Sequence, residues 1–325
     1  MNDATMPFRG RVVLITGGLG FIGSAVARTM ATLGAEVRVL DSLLPQGGGT
    51  PRNLERLAGE VDVTIEDTRS RDVVNRVVEG VDMVVHLAGH DGISALAQDW
   101  YSEVDIGCLG TLNVLEAMRV HAPKAHMLFA SSLAVYGRAR SERVTEDCPT
   151  EPSSLFGVHK LTAEKYCGVY LREYGVKTTI ARLATVFGPR QRVRSAGSNT
   201  LAYVLDASLH DEALRLPYGG QQLLDVVYVD DAVAVIIALL ADAARAPAII
   251  NVGRGEALSL RTLAETVIAV TGRGSIVPHI DDGSRVPIEG VVADTSRLHS
   301  LGIAPPLRPL RASLGETLQW YRGRG

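Results

Sequence analysis

Short apolar runs alternate with longer amphipathic stretches along the first half of the chain. The run Val12–Ile15 contains no polar residue, which is typical of a strand buried on both faces of a parallel sheet. Similar runs predict strands at 12–15, 36–40, 61–65, 82–86, 125–130 and 177–181. The stretches between them predict helices at 21–33, 52–58, 72–78, 100–118 and 154–174. This alternation predicts right-handed crossovers, and hence an α/β fold with a doubly wound parallel sheet.

The rhythm breaks after Pro189, where loops and short helices follow. We therefore predict a first domain at 1–182, to which 225–252 returns, and a smaller C-terminal α/β lobe made mainly of 183–325. Strands are predicted at 214–216, 225–229 and 248–252, and helices at 232–241, 260–271 and 310–322. Asp230 or Asp231 is the expected N-cap of the first of these helices, and Ser259 of the second.

Three glycines follow the first predicted strand at three-residue intervals. Gly17 suits a tight turn, Gly20 lets the backbone approach a pyrophosphate, and Gly23 lets the next helix pack closely on the strand. The helix N-terminus then faces an anion. Asp41 ends the second strand, 24 residues after Gly17, at the spacing of a carboxylate that binds the adenosine ribose. A carboxylate there repels a 2′-phosphate, so the pattern favours NAD over NADP.

Other polar and small residues follow the next two strands. Asp67 is predicted either to meet the adenine amino group or to cap the helix at 72–78, and the pattern does not decide between these. The small-residue turn at 87–89 permits close approach to a cofactor. His90 and Asp91 come next, on the face where wound sheets bind ligands, although a solvated loop is the alternative.

Composition narrows the class of protein. The formal net charge is −3 without a long basic or acidic block, so nothing points to nucleic acid or an anionic membrane as a partner. The polar N-terminus does not resemble a signal peptide, and no apolar run reaches about 18 residues, so we expect a cytoplasmic location. The 3 cysteines are an odd number without metal-like spacing, which argues against a disulfide framework and a metal site.

Several motifs together resemble the NAD-dependent nucleotide-sugar epimerase/dehydratase family of extended short-chain dehydrogenases/reductases. They are TGGLGFIGS (16–24), Asp41, HLAG (86–89), SSLAVYG (131–137), FGVHK (156–160), ATVFGPRQ (184–191) and DVVYVDDAV (225–233). The resemblance implies a Rossmann-type fold with NAD as cofactor. It implies that Ser132 hydrogen-bonds the reacting sugar hydroxyl, and that Lys160 holds the nicotinamide ribose and lowers the pKa of a catalytic tyrosine four residues earlier.

The resemblance also supplies two sets of expected binding residues. The cofactor set is Gly17, Gly20, Phe21, Ile22, Gly23, Asp41, Asp67, Thr68, Leu87, Ala88, Gly89 and Lys160. The substrate set is His90, Asp91, Ser132, Thr185, Arg192 and Arg285. Arg192 belongs to a basic patch with Gln191 and Arg194, and Arg285 stands where similar proteins place an arginine on the diphosphate, with a surface arginine as the alternative.

Position 156, where the family motif has the tyrosine, is phenylalanine. A phenyl ring cannot exchange a proton, and general acid/base catalysis is worth about 10²–10⁴-fold. Three explanations are open: an engineered Tyr-to-Phe variant, natural divergence with another base, or loss of catalysis. The candidate bases are Tyr136, then His90 with Asp91, then Glu164. Two further departures favour natural divergence: Gly107 stands where the family has an asparagine, and Leu224 where it has an arginine that contacts phosphate.

We therefore expect an NAD-dependent epimerase, or a related isomerase or lyase, that transiently oxidises a ring carbinol of a nucleotide-activated sugar. The alternatives are a net reductase or dehydrogenase, and a catalytically silent protein that binds NAD or a nucleotide sugar. The helices at 100–118 and 154–174 carry more apolar residues than one face needs. In relatives this pair forms a dimer seam, so we expect a homodimer.

Overall fold

The computed structural model describes residues 7–44, 47–57, 59–89, 100–138, 143–192, 200–278, 290–304 and 307–323. The helices of this part are α1 (Phe21–Thr32), α2 (Arg71–Val78), α3 (Trp100–Val104), α4 (Gly110–His121), α5 (Leu155–Tyr174), α6 (Thr200–Leu209), α7 (Val229–Ala241), α8 (Leu260–Thr271), α9 (Ser296–Ser300) and α10 (Leu310–Arg322). Short 3₁₀ segments occur at Pro51–Leu57, Leu133–Tyr136 and Pro217–Gly220.

The strands follow the same chain order. They are β1 (Val12–Thr16), β2 (Glu36–Asp41), β3 (Val61–Ile65), β4 (Met83–His86), β5 (His126–Ser132), β6 (Arg143–Val144), β7 (Lys177–Leu183), β8 (Thr185–Phe187), β9 (Ala213–Leu214), β10 (Leu223–Leu224), β11 (Val226–Tyr228), β12 (Ile249–Val252), β13 (Leu258–Ser259), β14 (Ser275–Ile276) and β15 (Val292–Ala293). In the described residues, seven strands form one sheet in the order β12-β7-β5-β4-β1-β2-β3, and all neighbours are parallel. The predicted doubly wound parallel sheet is confirmed.

Two helical layers cover the sheet, and β1 shows why its residues are apolar on both faces. Val13 and Ile15 are fully buried in a core shared with α1 and α7. Leu14 points to the opposite face and is buried in a core shared with α2, α4 and α5. The uninterrupted apolar run therefore follows from burial on both sides, as period-two geometry requires.

The helix predicted at 100–118 is present and runs from Trp100 to His121, but it changes its hydrogen-bond pattern at one turn. Between α3 and α4 the chain forms a π-helical turn at Asp105–Leu109. The Thr111 hydroxyl, at the start of α4, donates to the carbonyl of Gly107 within this turn at 2.6 Å, a local side-chain bond that competes with the regular ladder. The spacing of the apolar residues predicts the helix, but it does not reveal the extra residue that a π-helical turn contains.

Residues 225–229 do not join the main sheet, contrary to the prediction. β11 pairs in parallel with β8, because the chain leaves β7 at Ala184 and continues as a separate short strand. β12 does return to the main sheet beside β7. The predicted cap of α7 is also wrong: the helix begins at Val229, so Asp230 and Asp231 lie within its first turn and no side chain of the described residues caps it.

Other predicted features of the second half are confirmed. The Ser259 hydroxyl caps α8 by accepting the Thr262 N–H at 3.0 Å. α10 buries Leu314 and Leu318 on one face. Among the described helices, none combines the length and the apolar character needed to cross a membrane.

Candidate functional site

A cavity of about 630 Å³ lies along the carboxyl ends of the parallel strands. It spans the point where the strand order reverses between β1 and β4, the usual ligand position in a wound sheet. All twelve residues of the predicted cofactor set line it: Gly17, Gly20, Phe21, Ile22, Gly23, Asp41, Asp67, Thr68, Leu87, Ala88, Gly89 and Lys160. Of the predicted substrate set, Ser132, Thr185 and Arg192 line it.

The glycine turn after β1 forms one wall of the cavity. Gly17 has φ +69°, a left-handed conformation, and a Cβ there would lie 2.9 Å from the Ala88 nitrogen. The Gly20 N–H donates to the Gly17 carbonyl at 3.1 Å and closes the turn. Within the described chain no side chain caps α1, so its first N–H groups remain available to an anion at the cavity wall.

Asp41 lies at the end of β2 with its carboxylate braced by the backbone. One oxygen accepts the Leu19 N–H at 3.0 Å, and the other accepts the Leu43 N–H at 2.9 Å. An ionised carboxylate has about four acceptor sites, so each oxygen can still accept a hydroxyl. The side chain is therefore held rigidly at the cavity while retaining the capacity to bind a diol.

The Asp67 side chain does not cap α2, which removes one of its two predicted roles. Its carboxylate accepts the Arg69 N–H at 2.8 Å and pairs with the Arg69 guanidinium at 2.8 Å. Burial opposes ionisation, but these hydrogen bonds hold the Asp67 pKa below its usual range. α2 instead starts after Ser70, without a side-chain cap in this part of the structure. Thr68, the next residue, is buried.

A chain of buried hydrogen bonds shapes the turn after β4. The Thr16 hydroxyl oxygen accepts the Leu87 and Ala88 N–H groups, each at 3.2 Å. That hydroxyl lies 2.7 Å from Nδ1 of His86, and Nε2 of His86 lies 3.0 Å from the Thr111 hydroxyl. Thr111 donates to a carbonyl, so the network assigns the proton of the neutral ring to Nε2.

His86 is fully buried, and burial lowers its pKa to about 3. The positive charge of Lys160 acts in the same direction. The ring is therefore neutral at physiological pH and serves to fix the end of β4. It does not line the cavity.

Ser132, Phe156 and Lys160 meet at the end of the cavity formed by β5 and α5. Ser132 ends β5, and its hydroxyl accepts the Ala134 N–H at 3.1 Å. α5 begins after Ser154, whose hydroxyl accepts the Gly157 N–H at 3.2 Å, and this cap sets the first turn that carries Phe156. The predicted trio is therefore brought together, with a phenyl ring where a tyrosine hydroxyl was expected.

Lys160 occupies an unusual environment for an ammonium group. Nζ donates to the Ala130 carbonyl at 2.7 Å and lies 5.1 Å from the Phe129 ring centroid and 5.8 Å from that of Phe156. Burial lowers its pKa to about 8, although the nearby Glu164 and Cys108 act to raise it. A protonated lysine here is stabilised by one carbonyl, two aromatic faces and one carboxylate at longer range.

Glu164, a candidate base from the sequence, is committed to a buried ion pair. Its two oxygens accept the Ser131 hydroxyl at 2.6 Å and the Arg182 guanidinium at 3.0 and 2.7 Å. The carboxylate and the guanidinium are both almost fully buried. The pair therefore supports the end of β5 and leaves Glu164 no role as a proton acceptor for a substrate.

Tyr136, the first candidate base, does not line the cavity. Its ring is buried, and its hydroxyl donates to Asn251 at 2.8 Å and accepts Arg182 at 2.9 Å. Burial raises its pKa, which opposes formation of a phenolate. The prediction that Tyr136 is catalytic is wrong, because the sequence does not reveal that the 3₁₀ turn after β5 directs this side chain into the core. The second candidate, His90 with Asp91, lies outside the described residues.

The other end of the cavity is bounded by residues of the C-terminal half. Arg190 lines it with φ +74°, and its guanidinium lies 5.9 Å from the Trp320 ring centroid. Arg192 is exposed beside Gly48, and Leu224 gives an apolar wall. Two further predicted residues, Arg194 and Arg285, are outside the described part.

Asp225 also lines this end, although no role was predicted for it from the sequence. Its carboxylate accepts backbone N–H groups of Arg254, Gly255 and Ala293 at 2.8–3.1 Å. Burial raises its pKa, and these bonds oppose the rise. Asp225 thus holds the segments at 254–255 and 293 together at the cavity wall. These contacts join residues that are distant in sequence, so the sequence alone does not show them.

An exposed apolar strip follows α3 and α5. Tyr101 is 84% exposed, and Val104, Leu155 and Val158 are each about two-fifths exposed. Such side chains are spaced at one helical turn within each helix, so they share a face. Among the described residues, no group of His, Cys, Asp and Glu side chains could hold a metal ion.

The protein family, two curated relatives and one solved structure that this chain matches are described as epimerases or dehydratases. Residues 13–253 match the family described as NAD dependent epimerase/dehydratase family. The uncharacterized UDP-glucose epimerase YtcB of Bacillus subtilis is 30% identical over 93% of this chain and 95% of its own. The dTDP-glucose 4,6-dehydratase of Mycolicibacterium smegmatis is 26% identical over 95% and 93%. Among solved structures, UDP-glucuronic acid 4-epimerase from Bacillus cereus, in complex with UDP-glucuronic acid and NAD, has a TM-score of 0.85 at 26% identity, covering 97% of this chain and 100% of its own.

Proposed function

The chain belongs to the NAD dependent epimerase/dehydratase family, and on that premise we propose that it is an epimerase, or a related isomerase or lyase, of a nucleotide-activated sugar. The reaction is a transient oxidation of a ring carbinol with an altered proton path at Phe156. One observation carries the proposal. A single cavity joins a dinucleotide cradle at β1 and β2 to the pair Ser132 and Lys160 at β5 and α5.

The cradle fits NAD in both charge and shape. The uncapped N-terminus of α1 and the close Gly17 turn suit a pyrophosphate. The braced Asp41 carboxylate suits ribose hydroxyls and disfavours a 2′-phosphate. Lys160 lines the part of the cavity nearest β5, where it would hold the second ribose. When bound, NAD⁺ supplies the hydride acceptor, and the protein supplies position and electrostatics.

The sugar nucleotide would occupy the end of the cavity formed by the C-terminal half. Ser132 and Thr185 offer hydroxyls to the sugar. Arg190 and Arg192 would bring positive charge toward the diphosphate. Leu224, which stands where an arginine was expected, brings no charge. Relatives whose names specify UDP-glucose and UDP-glucuronic acid indicate the class of nucleotide sugar to test first.

We further propose a homodimer built on the apolar strip of α3 and α5. Tyr101 and Val158 lie on this strip, and exposed apolar surface of this kind is stabilised when a second copy covers it. The division into a cofactor domain at 1–182 and a substrate lobe at 183–325, and a cytoplasmic location, stay predictions.

The experiment is a turnover assay on protein reconstituted with NAD⁺. A panel of UDP-hexoses and UDP-hexuronic acids is incubated with the protein, and the sugars are followed by proton NMR. We expect one member to interconvert with its epimer, or to lose a group, without net accumulation of NADH. Accumulation or consumption of NADH would instead indicate a dehydrogenase or reductase. Binding of NAD⁺ without any sugar conversion would indicate a catalytically silent protein.

A further inference from the structure

Lys160 is placed to do more than hold a ribose. At the ends of β5 and β7, the described lining residues carry hydroxyls, a phenyl ring, the Lys160 amine and the Asp225 carboxylate, so Lys160 and Asp225 are the ionisable side chains there. The carboxylates of Asp41, Glu66 and Asp67 lie at the ends of β2 and β3. β2 is three strands from β5, and at about 4.8 Å per strand this separation is about 14 Å.

The other titratable groups around Lys160 are already committed. Glu164 is bound by Arg182 and Ser131, and His86 is neutral between two threonine hydroxyls. The Asp225 carboxylate accepts three backbone N–H groups. Cys108 lies on the π-helical turn, where burial raises its pKa. Arg190 lines the cavity but cannot give up its proton at physiological pH. Within the described residues, this environment leaves the Lys160 amine as the group that can exchange a proton with a ligand.

The contacts of Nζ suit both charge states. Its one hydrogen bond among the described residues is donated to Ala130, and an amine can keep that bond while its lone pair faces elsewhere. The phenyl ring of Phe156 offers no hydroxyl to the ammonium. Burial already lowers the Lys160 pKa to about 8, and a cationic ligand in the same cavity would lower it further.

We propose that Lys160 itself is the acid/base group of the reaction, in place of the tyrosine that Phe156 has removed. The inference rests on the proposed function. In the oxidation, the O–H bond of the sugar carbinol breaks and its proton goes to the lone pair of Nζ. The C–H bond of the same carbon breaks, and its hydrogen would leave with both electrons as hydride to NAD⁺. The alcohol thereby becomes a ketone. The return step reverses both transfers and restores the amine.

The discriminating variant is Lys160→Arg. A guanidinium keeps the positive charge and can still donate to a ribose, but it cannot give up its proton. A role in binding alone predicts that this variant retains most of its activity. The acid/base role predicts that NAD⁺ affinity stays within about tenfold, while the rate of sugar conversion falls by about 10²–10⁴-fold. Adding Phe156→Tyr to Lys160→Arg should recover at least about tenfold of the loss.

A second measurement does not depend on turnover. Competitive acetylation with mass spectrometry reports the fraction of each lysine present as amine at each pH. In the NAD⁺-loaded protein, Lys160 should reach half of its full reactivity near or below pH 8, consistent with its lowered pKa. An unperturbed lysine does so near about 10.4. Lys165, exposed on the same helix, is the internal reference for reagent access.

The outcomes separate the inference from the proposed function. Full activity in Lys160→Arg, or acetylation of Lys160 with the profile of an unperturbed lysine, overturns the acid/base role and leaves the epimerase proposal standing. If Lys160→Arg does not fold, Lys160→Gln replaces it, because a glutamine amide has no proton to exchange. We expect the same loss of rate and the same rescue by Phe156→Tyr. The absence of either result overturns the acid/base role. A wild-type protein that binds NAD⁺ and converts no sugar overturns the proposed function, and the inference falls with it.

Discussion

Replacing Arg182 by methionine would leave the Glu164 carboxylate buried with the Ser131 hydroxyl as its remaining partner among the described residues. The guanidinium now makes two hydrogen bonds to that carboxylate, at 3.0 and 2.7 Å, and both side chains are about 3–4% exposed. Removing one partner of such a pair costs about 3–5 kcal/mol, since the other charge stays buried. Methionine is unbranched like the aliphatic part of the arginine side chain, which limits any further cavity cost.

Urea unfolding followed by circular dichroism measures this loss. With a slope of about 3 kcal/mol per molar, a loss of about 4 kcal/mol lowers the midpoint by about 1.3 M. The matched control is Arg245→Met, which breaks an exposed pair with Asp242 and should change stability by less than about 1 kcal/mol. Adding Glu164→Leu to Arg182→Met removes the unpaired charge, so the double variant should recover the part of the loss that this charge causes. The Tyr136 hydroxyl and the Glu146 carbonyl lose their contact with Arg182 in both variants.

Two results would refute this reasoning. One is a loss in Arg182→Met no larger than that in Arg245→Met. The other is a double variant that is no more stable than Arg182→Met alone.

Three further predictions follow from other contacts. Asp41→Asn removes the charge that repels a 2′-phosphate, so the ratio of NADP to NAD dissociation constants, measured by calorimetry, should fall. The pKa of His86 is about 3 when folded and about 6.5 when unfolded, so protonation favours unfolding. Stability should therefore fall as pH drops from about 6.5 towards 3, with a smaller slope in His86→Asn. Tyr101→Glu should shift sedimentation towards a monomer, whereas Val63→Glu on the exposed edge strand β3 should not.

The sheet and the cavity lining could be predicted because their signals are local. Each strand of a doubly wound sheet is an apolar run buried on both faces, as Leu14 and Ile15 show, and each carries its own signal. Cavity-lining residues such as Asp41 lie at the ends of those strands. Because the strands are parallel, the residues that follow each strand lie at the same edge of the sheet.

Features that depend on distant contacts could not be predicted. Glu164 and Arg182 lie on different elements, and their pairing appears only when α5 packs on β7. Tyr136 follows a strand end that lines the cavity, yet the turn directs it toward Asn251, 115 residues away. The predicted N-cap of α7 was wrong for another reason. An acidic residue favours a helix N-terminus both as a cap and within the first turn, so Asp231 alone does not determine where the helix begins.

The central claim is that a nicotinamide cofactor in this cavity takes a hydride from a ring carbon of a sugar and gives it back. The most direct measurement uses a nucleotide sugar that the protein converts, deuterated at the reacting carbon, in ordinary water. We predict that the product keeps the deuterium on that carbon while its configuration or substitution changes, because the hydride does not exchange with solvent. Replacement of the deuterium by solvent hydrogen during conversion would contradict the account.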